Sequence, residues 1–392
     1  MTDMNGRMLA QLQAEVGAEV ASMTALRRRL HHDPRLSSCE ETTLVTVLEH
    51  LPPGASRQRV GETGAVVRIG HGGPSVAVRA ELDALPVQER TGVDWASTNG
   101  AMHACGHDVH LASLVALARA VNRVAAAAPL LAILQPREET YPSGAEEIVD
   151  AGVLTGHQVA AIVGAHVHPL VKEGEVACSE GPINAASDEF QIEMHGAGGH
   201  AAYPNLTPDP VLAIAQFTLS VQQLVSRNVD PMIPAVVTVG AIHSGEASNA
   251  TPPNAVARGI IRSMSEDQRR MLHQRLRAVA EGTALTHGCG VDLKIVHGEP
   301  VLENHPRLVR ATRSRLETLG LRLAPALRSC GSDDFAFFSA VAPAMMMFVG
   351  CGRENGSHPL HSPMFLPDDD AVRHVAMAML AGYLAGTALL GN

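Results

Sequence analysis

Two short, uninterrupted apolar runs, Leu130–Leu134 and Ala160–Ala165, constrain the fold more than any other feature of the chain. Neither is long enough for a typical helix, and neither alternates with polar residues. That is the profile of a strand buried on both faces of a parallel sheet. Helical patterns surround them: the Ala- and Leu-rich stretch Leu111–Ala128 precedes the first, and Gly144–Ala151 joins the two. Further strands are predicted at Ala65–Ile69 and Ser75–Ala80, linked by the turn His71-Gly72-Gly73-Pro74. From about Glu15 to Leu51 the spacing of Leu26, Leu30, Leu44, Val45 and Leu48 predicts two helices divided at Pro34. His31 and His32 read as the polar end of the first. Alternating strands and helices predict an α/β chain with a mostly parallel-core sheet and helices on both faces.

The pattern changes near Gly181. Phe190, Ile192 and Met194 alternate with Glu189, Gln191 and Glu193, so this strand has one wet face, as in an antiparallel sheet. A helix (Asp209–Arg227), two strands (Ala235–Ile242 and Ala255–Arg262), a helix (Glu266–Thr286) and a strand (Val291–Val296) follow. This β-α-β-β-α-β order predicts a ferredoxin-like α+β domain inserted into the first. The expected division is 1–182 with 297–392 for the main domain and 183–296 for the insert. Beyond it the α/β pattern resumes with a helix at Pro306–Leu319, a strand at Ala344–Val349 and a last helix at Asp369–Leu389.

The chemistry sits where the predicted strands end. Ser75–Ala80 runs into Glu81-Leu82-Asp83, carboxylates at alternate positions that point the same way. Leu130–Leu134 runs into Glu138-Glu139, an adjacent pair that packing alone does not explain, because burying unpaired charge is costly. Ala160–Ala165 ends in His166-Val167-His168. Met102-His103-Ala104-Cys105-Gly106-His107-Asp108 places a thiol and an imidazole two residues apart between small residues, and His358-Pro359-Leu360-His361 follows the last strand. Ligands in open α/β sheets bind at the carboxyl ends of strands. Together Cys105, His107, Glu139, His166 and His361 exceed the four ligands of a closed structural zinc site and suit two divalent metal ions sharing a water. Glu138, kept off the metals, is placed to take that water's proton and pass it to a departing nitrogen. Zinc and manganese are the expected ions, with cobalt, nickel or iron also compatible with a mixed Cys/His/Glu shell. A redox-sensing role for Cys105 is the competing reading of the thiol.

Composition narrows the partners. The 392 residues carry 30 Lys+Arg against 40 Asp+Glu, a net charge of −10, which argues against nucleic acid and anionic membranes. No apolar run reaches membrane-spanning length, the start of the chain lacks a signal-peptide pattern, and six scattered cysteines show no framework spacing. A cytoplasmic protein with reduced thiols is expected.

These blocks resemble the metal-dependent amidohydrolases of the aminoacylase, hippurate hydrolase and auxin-conjugate hydrolase group, within the clan of co-catalytic di-metal metallopeptidases. The resemblance is carried by Arg79–Pro86, Met102–Asp108, Gln135–Glu139, Gly164–His166, Gly196–His200, Ser226–Pro231 and His358–Pro363, and spans nearly the whole chain. It implies that Cys105, His107, Glu139, His166 and His361 are the metal ligands and Glu138 the general base. It also implies that the Asp83 carboxylate holds a ligand histidine in its tautomer. In the inserted domain it implies that His200 reaches a partner subunit's site as an oxyanion donor, and that Asn249 and Arg262 hold the substrate's carboxylate. The implied activity is hydrolysis of N-acyl amino acids by a homodimer formed through the inserted domain. A deacetylase or peptidase acting on a biosynthetic intermediate, dipeptide or aryl amine is the alternative, and a non-catalytic ligand-binding protein a more distant one. Departures from the group surround the pocket: Glu81 stands for Asp, Arg137 for a small residue, His168 for an aromatic and Asp333 for Glu, while Tyr141-Pro142-Ser143 replaces a glycine-rich turn. Arg137 is expected to lower the basicity of Glu138.

Overall fold

A computed structural model describes residues 2–124, 127–354 and 356–390. In chain order its elements are α1 Thr2–His32, α2 Glu41–His50, β1 Ser56–Val60, β2 Gly64–Ile69, β3 Ser75–Glu81, α3 His107–Arg123, β4 Leu130–Gln135, α4 Gly144–Asp150, α5 Val153–Gly156, β5 Val159–Lys172, β6 Glu175–Ala177, β7 Gly181–Asn184 and β8 Ala186–His195. There follow β9 Gly199–His200, α6 Pro210–Asn228, β10 Ala235–Ser244, β11 Ala250–Thr251, β12 Asn254–Ser263, α7 Glu266–His287, β13 Gly290–His297, β14 Leu302–Asn304, α8 Pro306–Thr318, β15 Arg322–Leu323, α9 Ala336–Val341, β16 Ala344–Gly352 and α10 Asp370–Thr387. The chain forms two compact units, one of Met1–Gly181, Glu303–Leu327 and Phe337–Asn392, the other of Pro182–Leu302 and Arg328–Ala336. The segment Arg328–Ala336, expected in the main domain, groups with the insert.

The first unit is built on an eight-stranded sheet in the order β1-β2-β4-β3-β5-β16-β6-β15. Strands β4, β3, β5 and β16 are mutually parallel and form its centre. Every residue of β3 and β4 is buried, as strands covered on both faces must be. The turn at residues 71–74 does not make a hairpin, because β4 lies between β2 and β3. Strand β1 escaped the sequence reading because its Ser-Arg-Gln-Arg run is an exposed edge without an apolar signal. Helix α10 packs closely on the centre of the sheet: a Cβ on Gly382 would lie 2.4 Å from Val163 Cγ1, and one on Gly386 2.6 Å from Val76 Cγ1. Two mid-helix glycines, poor helix formers, are thus explained by close approach.

Helix α3 begins at His107, earlier than Leu111, and ends at Arg123; positions 125 and 126, expected within it, lie outside the described residues. Its first turn is tied to α1 by a buried ion network. Arg27 Nε donates to Asp108 Oδ2 at 3.1 Å, Nη1 to Asp369 Oδ1 at 3.0 Å and Nη2 to the Pro367 carbonyl at 2.7 Å. His31 is therefore not a solvated helix end. It is buried, with Nδ1 3.0 Å from Asp108 Oδ2, Nε2 3.1 Å from Glu89 Oε1, and its ring edge-on to Trp95.

The second unit carries a four-stranded antiparallel sheet in the order β10-β12-β8-β13. With α6 and α7 this is the ferredoxin-like order. Phe190, Ile192 and Met194 on β8 face a core completed by Ile214, Phe217 and Val221 of α6 and Leu272 and Leu276 of α7. Asp209 caps α6, its Oδ1 accepting from the Val211 and Leu212 amides. Among the described residues no helix is long and apolar enough to cross a membrane.

The His31 network gives a pH prediction. Burial disfavours the His31 cation, but Asp108 and Glu89 outweigh it and raise its pKa from 6.5 to about 9. Its contribution is fully present below pH 6.5 and lost as pH rises through about 9. Urea unfolding across that window should show declining stability in the wild type, and His31→Asn should flatten the decline; an equally steep decline in the variant would contradict this.

Candidate metal centre

The five sequence-predicted ligands all lie in the first unit and come together there. His107 opens α3, and its Nδ1 donates to the Asp83 main-chain carbonyl at 2.9 Å. That bond leaves Nε2 with the lone pair; it is buried without a hydrogen-bond partner and lies 3.8 Å from Glu138 Oε2. Candidate ligand atoms of Cys105, His107 and Glu139 lie within 4.8 Å of one another, as do those of Glu81, His107, His110 and His166. Cys105 Sγ is 3.3 Å from His166 Nε2, and His361 Nε2 is 3.4 Å from Glu139 Oε1. His107 is common to both groups.

Local backbone geometry explains how such distant residues meet. Gly106, with φ +85°, forms the sharp entry to α3, and a Cβ there would stand 2.4 Å from Val167 Cγ2. Only glycine satisfies both the left-handed conformation and this approach. His361 is itself left-handed at φ 65°, and its amide donates to the Ala104 carbonyl at 2.9 Å, which ties the C-terminal loop to the Cys105 turn. Non-glycine residues in this region carry local strain that surrounding contacts must hold.

Strands β3 and β5 pair only as far as Val78 and Val163, so beyond that point the edge of β5 facing β3 has lost its partner strand. Side chains replace it. The Val167 amide donates to His110 Nε2 at 2.9 Å, so the His110 proton is on Nδ1, which donates to Glu81 Oε2 at 2.9 Å. His166 Nδ1 donates to the Val167 carbonyl at 2.7 Å and leaves Nε2 turned to Cys105. Arg79, wholly buried, anchors Glu81 and donates from Nε to Gln135 Oε1 at 2.8 Å. Glu81 and His110 thus satisfy one another and serve as the support behind His166. The sequence reading missed His110, although its place three residues after His107 on one helix face was a usable signal.

One role differs from expectation, and Arg137 has partners that its sequence neighbours do not announce. The main-chain carbonyl of Asp83, not its carboxylate, fixes the His107 tautomer; Oδ1 is 3.7 Å away. The Asp83 carboxylate instead accepts from Ser37 Oγ at 2.8 Å and the Glu139 amide at 3.0 Å. Arg137 directs its guanidinium to Glu147 Oε2 at 2.7 Å and the Pro142 carbonyl at 3.0 Å, so its charge is committed to Glu147 and to that carbonyl.

The electrostatics fit cations. Burial, then Glu139, Glu138 and Glu81, push the Cys105 thiol well above its ordinary value. Burial and neighbouring imidazoles hold His166 neutral, with its pKa far below the usual range. Burial opposes the His107 cation, but Glu81, Asp83 and Glu139 outweigh it and raise its pKa. Glu139 stays ionised despite burial because of His361 and His107. A neutral imidazole, a thiol among carboxylates, and the unpartnered His107 Nε2 and Asp83 Oδ1 form a donor set deficient in positive charge. Divalent ions supply it.

In the second unit His200 and Asn249 lie together. Strand β9 pairs with β11 at His200 and Ala250, and the Ala201 amide donates to the Asn249 carbonyl at 3.1 Å. The Ala202 amide donates to His200 Nδ1 at 3.1 Å, so Nε2–H is free to donate outward. Arg262 lies far from this pair. It sits opposite Ser187, eight residues along β12 from Asn254, which corresponds to about 26 Å of strand. Its Nη1 is buried without a partner.

The fold and this constellation define a metal-dependent hydrolase of the α/β type with an inserted unit. The chain belongs to the peptidase family M20/M25/M40, whose model matches residues 77–383. It is 34% identical to the N-acetylcysteine deacetylase of Bacillus subtilis (strain 168) over 88% of this chain and 92% of that one. It is 31% identical to the N-acetyldiaminopimelate deacetylase of Lactococcus lactis subsp. cremoris over 90% of this chain and 95% of that one. Its fold matches the crystal structure of the Bacillus subtilis YXEP protein, a dinuclear metal-binding peptidase of the M20 family, with TM-score 0.83, 31% identity and coverage of 95% and 99%. The enzyme is a hydrolase acting on amide bonds.

Gly106→Ala should bring Val167 and the ligand turn into conflict and lower divalent-metal affinity about 10- to 100-fold, as disturbed support around a site does. Metal titration of the folded variant checks this, and unchanged affinity would contradict it.

Proposed function

We propose that this enzyme hydrolyses the amide bond of N-acyl amino acids at a two-metal centre held by Cys105, His107, Glu139, His166 and His361. The observation that carries the reading is that candidate ligand atoms of Cys105, His107 and Glu139 lie within 4.8 Å of one another, with His166 in a second such group on His107 and His361 Nε2 3.4 Å from Glu139, while Glu138 Oε2 stands 3.8 Å from the buried, unpartnered Nε2 of His107. Two divalent ions, zinc or manganese first among the candidates, would polarise the substrate carbonyl and acidify a water. Glu138 then accepts the water's proton on its carboxylate and delivers it to the departing nitrogen. The Glu139 amide donates to Asp83, which fixes the peptide between the two glutamates, and Glu139 meets His361 while Glu138 meets His107. Cys105 acts as a ligand rather than a redox sensor: its thiol faces His166 at 3.3 Å and, like the other five cysteines, is unpaired. The unpaired cysteines support a reducing cytoplasmic setting.

In this reading Arg262 Nη1 and the Asn249 side chain hold the substrate's carboxylate, and His200 Nε2–H steadies the oxyanion. The separation of Arg262 from the His200–Asn249 pair within one unit supports a homodimer in which the pair acts on the partner's substrate. The names of two relatives, both deacetylases of N-acetylated amino acids, favour a short acyl group.

Chelation should abolish hydrolysis across a panel of N-acetyl and N-benzoyl amino acids, and zinc or manganese should restore it. Glu138→Gln should keep the metal and lose about 10²- to 10⁴-fold in kcat. Metal-loaded protein that is inactive on the whole panel would overturn the substrate assignment. Mixing inactive Glu138→Gln with inactive His200→Ala should regain activity through hybrid dimers, whereas a strictly additive mixture would refute the shared site.

A further inference from the structure

The reading above requires Glu138 and Glu139 to hold their side chains in two fixed directions, and the backbone around them is not intrinsically stable. Arg137, directly before the pair, is left-handed at φ 48°, a conformation that an L-residue with a side chain rarely adopts. Something outside the turn must hold it. Pro136 is packed between glycines: a Cβ on Gly144 would lie 1.8 Å from the Pro136 carbonyl oxygen, and one on Gly64 2.7 Å from Pro136 Cδ. The Gly144 amide donates to the Arg137 carbonyl at 3.2 Å. Two further backbone donors, the Arg137 amide directly and the Glu139 amide through Asp83, lead to one short segment, the link between α1 and α2.

We propose that Glu40 and Ser37 of this link are positioning residues for the hydrolytic reaction, clamping the main chain on either side of Glu138. Glu40 is fully buried. Its Oε1 accepts from the Arg137 amide at 2.9 Å, and its Oε2 accepts from Thr63 Oγ1 at 2.7 Å. Two residues beyond Arg137, the Glu139 amide donates to Asp83 Oδ2 at 3.0 Å, and Ser37 Oγ donates to the same oxygen at 2.8 Å. The 136–137 and 138–139 peptide groups, one before and one after Glu138, are therefore fixed by carboxylates that are themselves fixed. The link is held in turn: the Ala84 amide donates to the Arg35 carbonyl at 2.8 Å, and Ser38 is left-handed at φ 68°. A charged carboxylate is a stronger acceptor for a buried amide than water or a neutral carbonyl. Burying it is justified by a task that a hydrophobic residue could not perform.

This inference rests on the proposed roles of Glu138 and Glu139, so its test includes a readout that does not require turnover. Glu40→Leu removes the acceptor at similar volume; Glu40→Gln keeps an oxygen for the Arg137 amide. At saturating metal, Glu40→Leu should lower kcat about 10- to 100-fold with KM nearly unchanged, the effect expected of misplaced reacting groups. Glu40→Gln should recover most of the loss. Amide hydrogen exchange at residues 137–139 should speed up in Glu40→Leu and return toward wild type in Glu40→Gln, whether or not N-acyl amino acids prove to be the substrates. If Glu40→Leu does not fold, Thr63→Val, which frees Glu40 Oε2, should show a smaller change of the same kind. Wild-type kcat and exchange in the folded Leu or Val variant, or a Gln variant as impaired as Leu, would overturn the proposal.

Discussion

The structure depends on a concentration of acidic groups beyond the carboxyl ends of two parallel strands, β3 and β4. Glu81, Asp83, Glu138, Glu139 and the Cys105 thiol lie close enough that three of the carboxylates raise the thiol's pKa together with burial. Isolated buried carboxylates are strongly disfavoured, and paired ones survive only when the remaining bonds are good. Here Glu81 is answered by Arg79 and His110, while Asp83 and Glu139 rely on amides, a hydroxyl and imidazoles. Arg137, the nearest basic residue in sequence, is directed to Glu147. A folded chain with this charge distribution is prepared for divalent cations, and the family to which it belongs includes a dinuclear metal-binding peptidase of the same fold.

The sheet makes that concentration possible. Strand β5 continues to Lys172 after its pairing with β3 has ended at Val163, and the opened edge is closed by His110 rather than by another strand. Beside that edge His166 turns Nε2 to Cys105, and His107 presents an Nε2 without a hydrogen-bond partner. Strained backbone marks the same region: Arg137 and His361 are left-handed, and Gly106 occupies a position that no side chain could share with Val167. Strain of this kind persists only where surrounding bonds over-determine it. Such bonds are present at Ala104, Glu40 and Gly144.

Much of this was legible in the sequence because it is local. Uninterrupted apolar runs predicted β4 and the core of β5, period-two alternation predicted β8, and each run ended in the residues that converge. What escaped had partners far away in the chain. His31 read as a polar helix end because Asp108 and Glu89, which bury and charge it, lie 77 and 58 positions downstream. Nothing local announces that Glu147, ten residues on, takes the Arg137 guanidinium. The Asp83 carboxylate was assigned to a histidine that its own backbone carbonyl serves, a distinction that only main-chain geometry reveals. Edge strand β1, polar on nearly every position, had no pattern to detect.

The central claim is that five side chains from four separate segments hold two metal ions. Anomalous diffraction from crystals of the enzyme grown with zinc or manganese tests it most directly. The account predicts two peaks per chain, about 3.5–4 Å apart as in other two-metal sites. Both should lie within bonding distance of the set formed by Cys105 Sγ, His107 Nε2, Glu139, His166 Nε2 and His361, with Glu138 bonded to neither. A single peak, peaks elsewhere, or Glu138 as a direct ligand would contradict it.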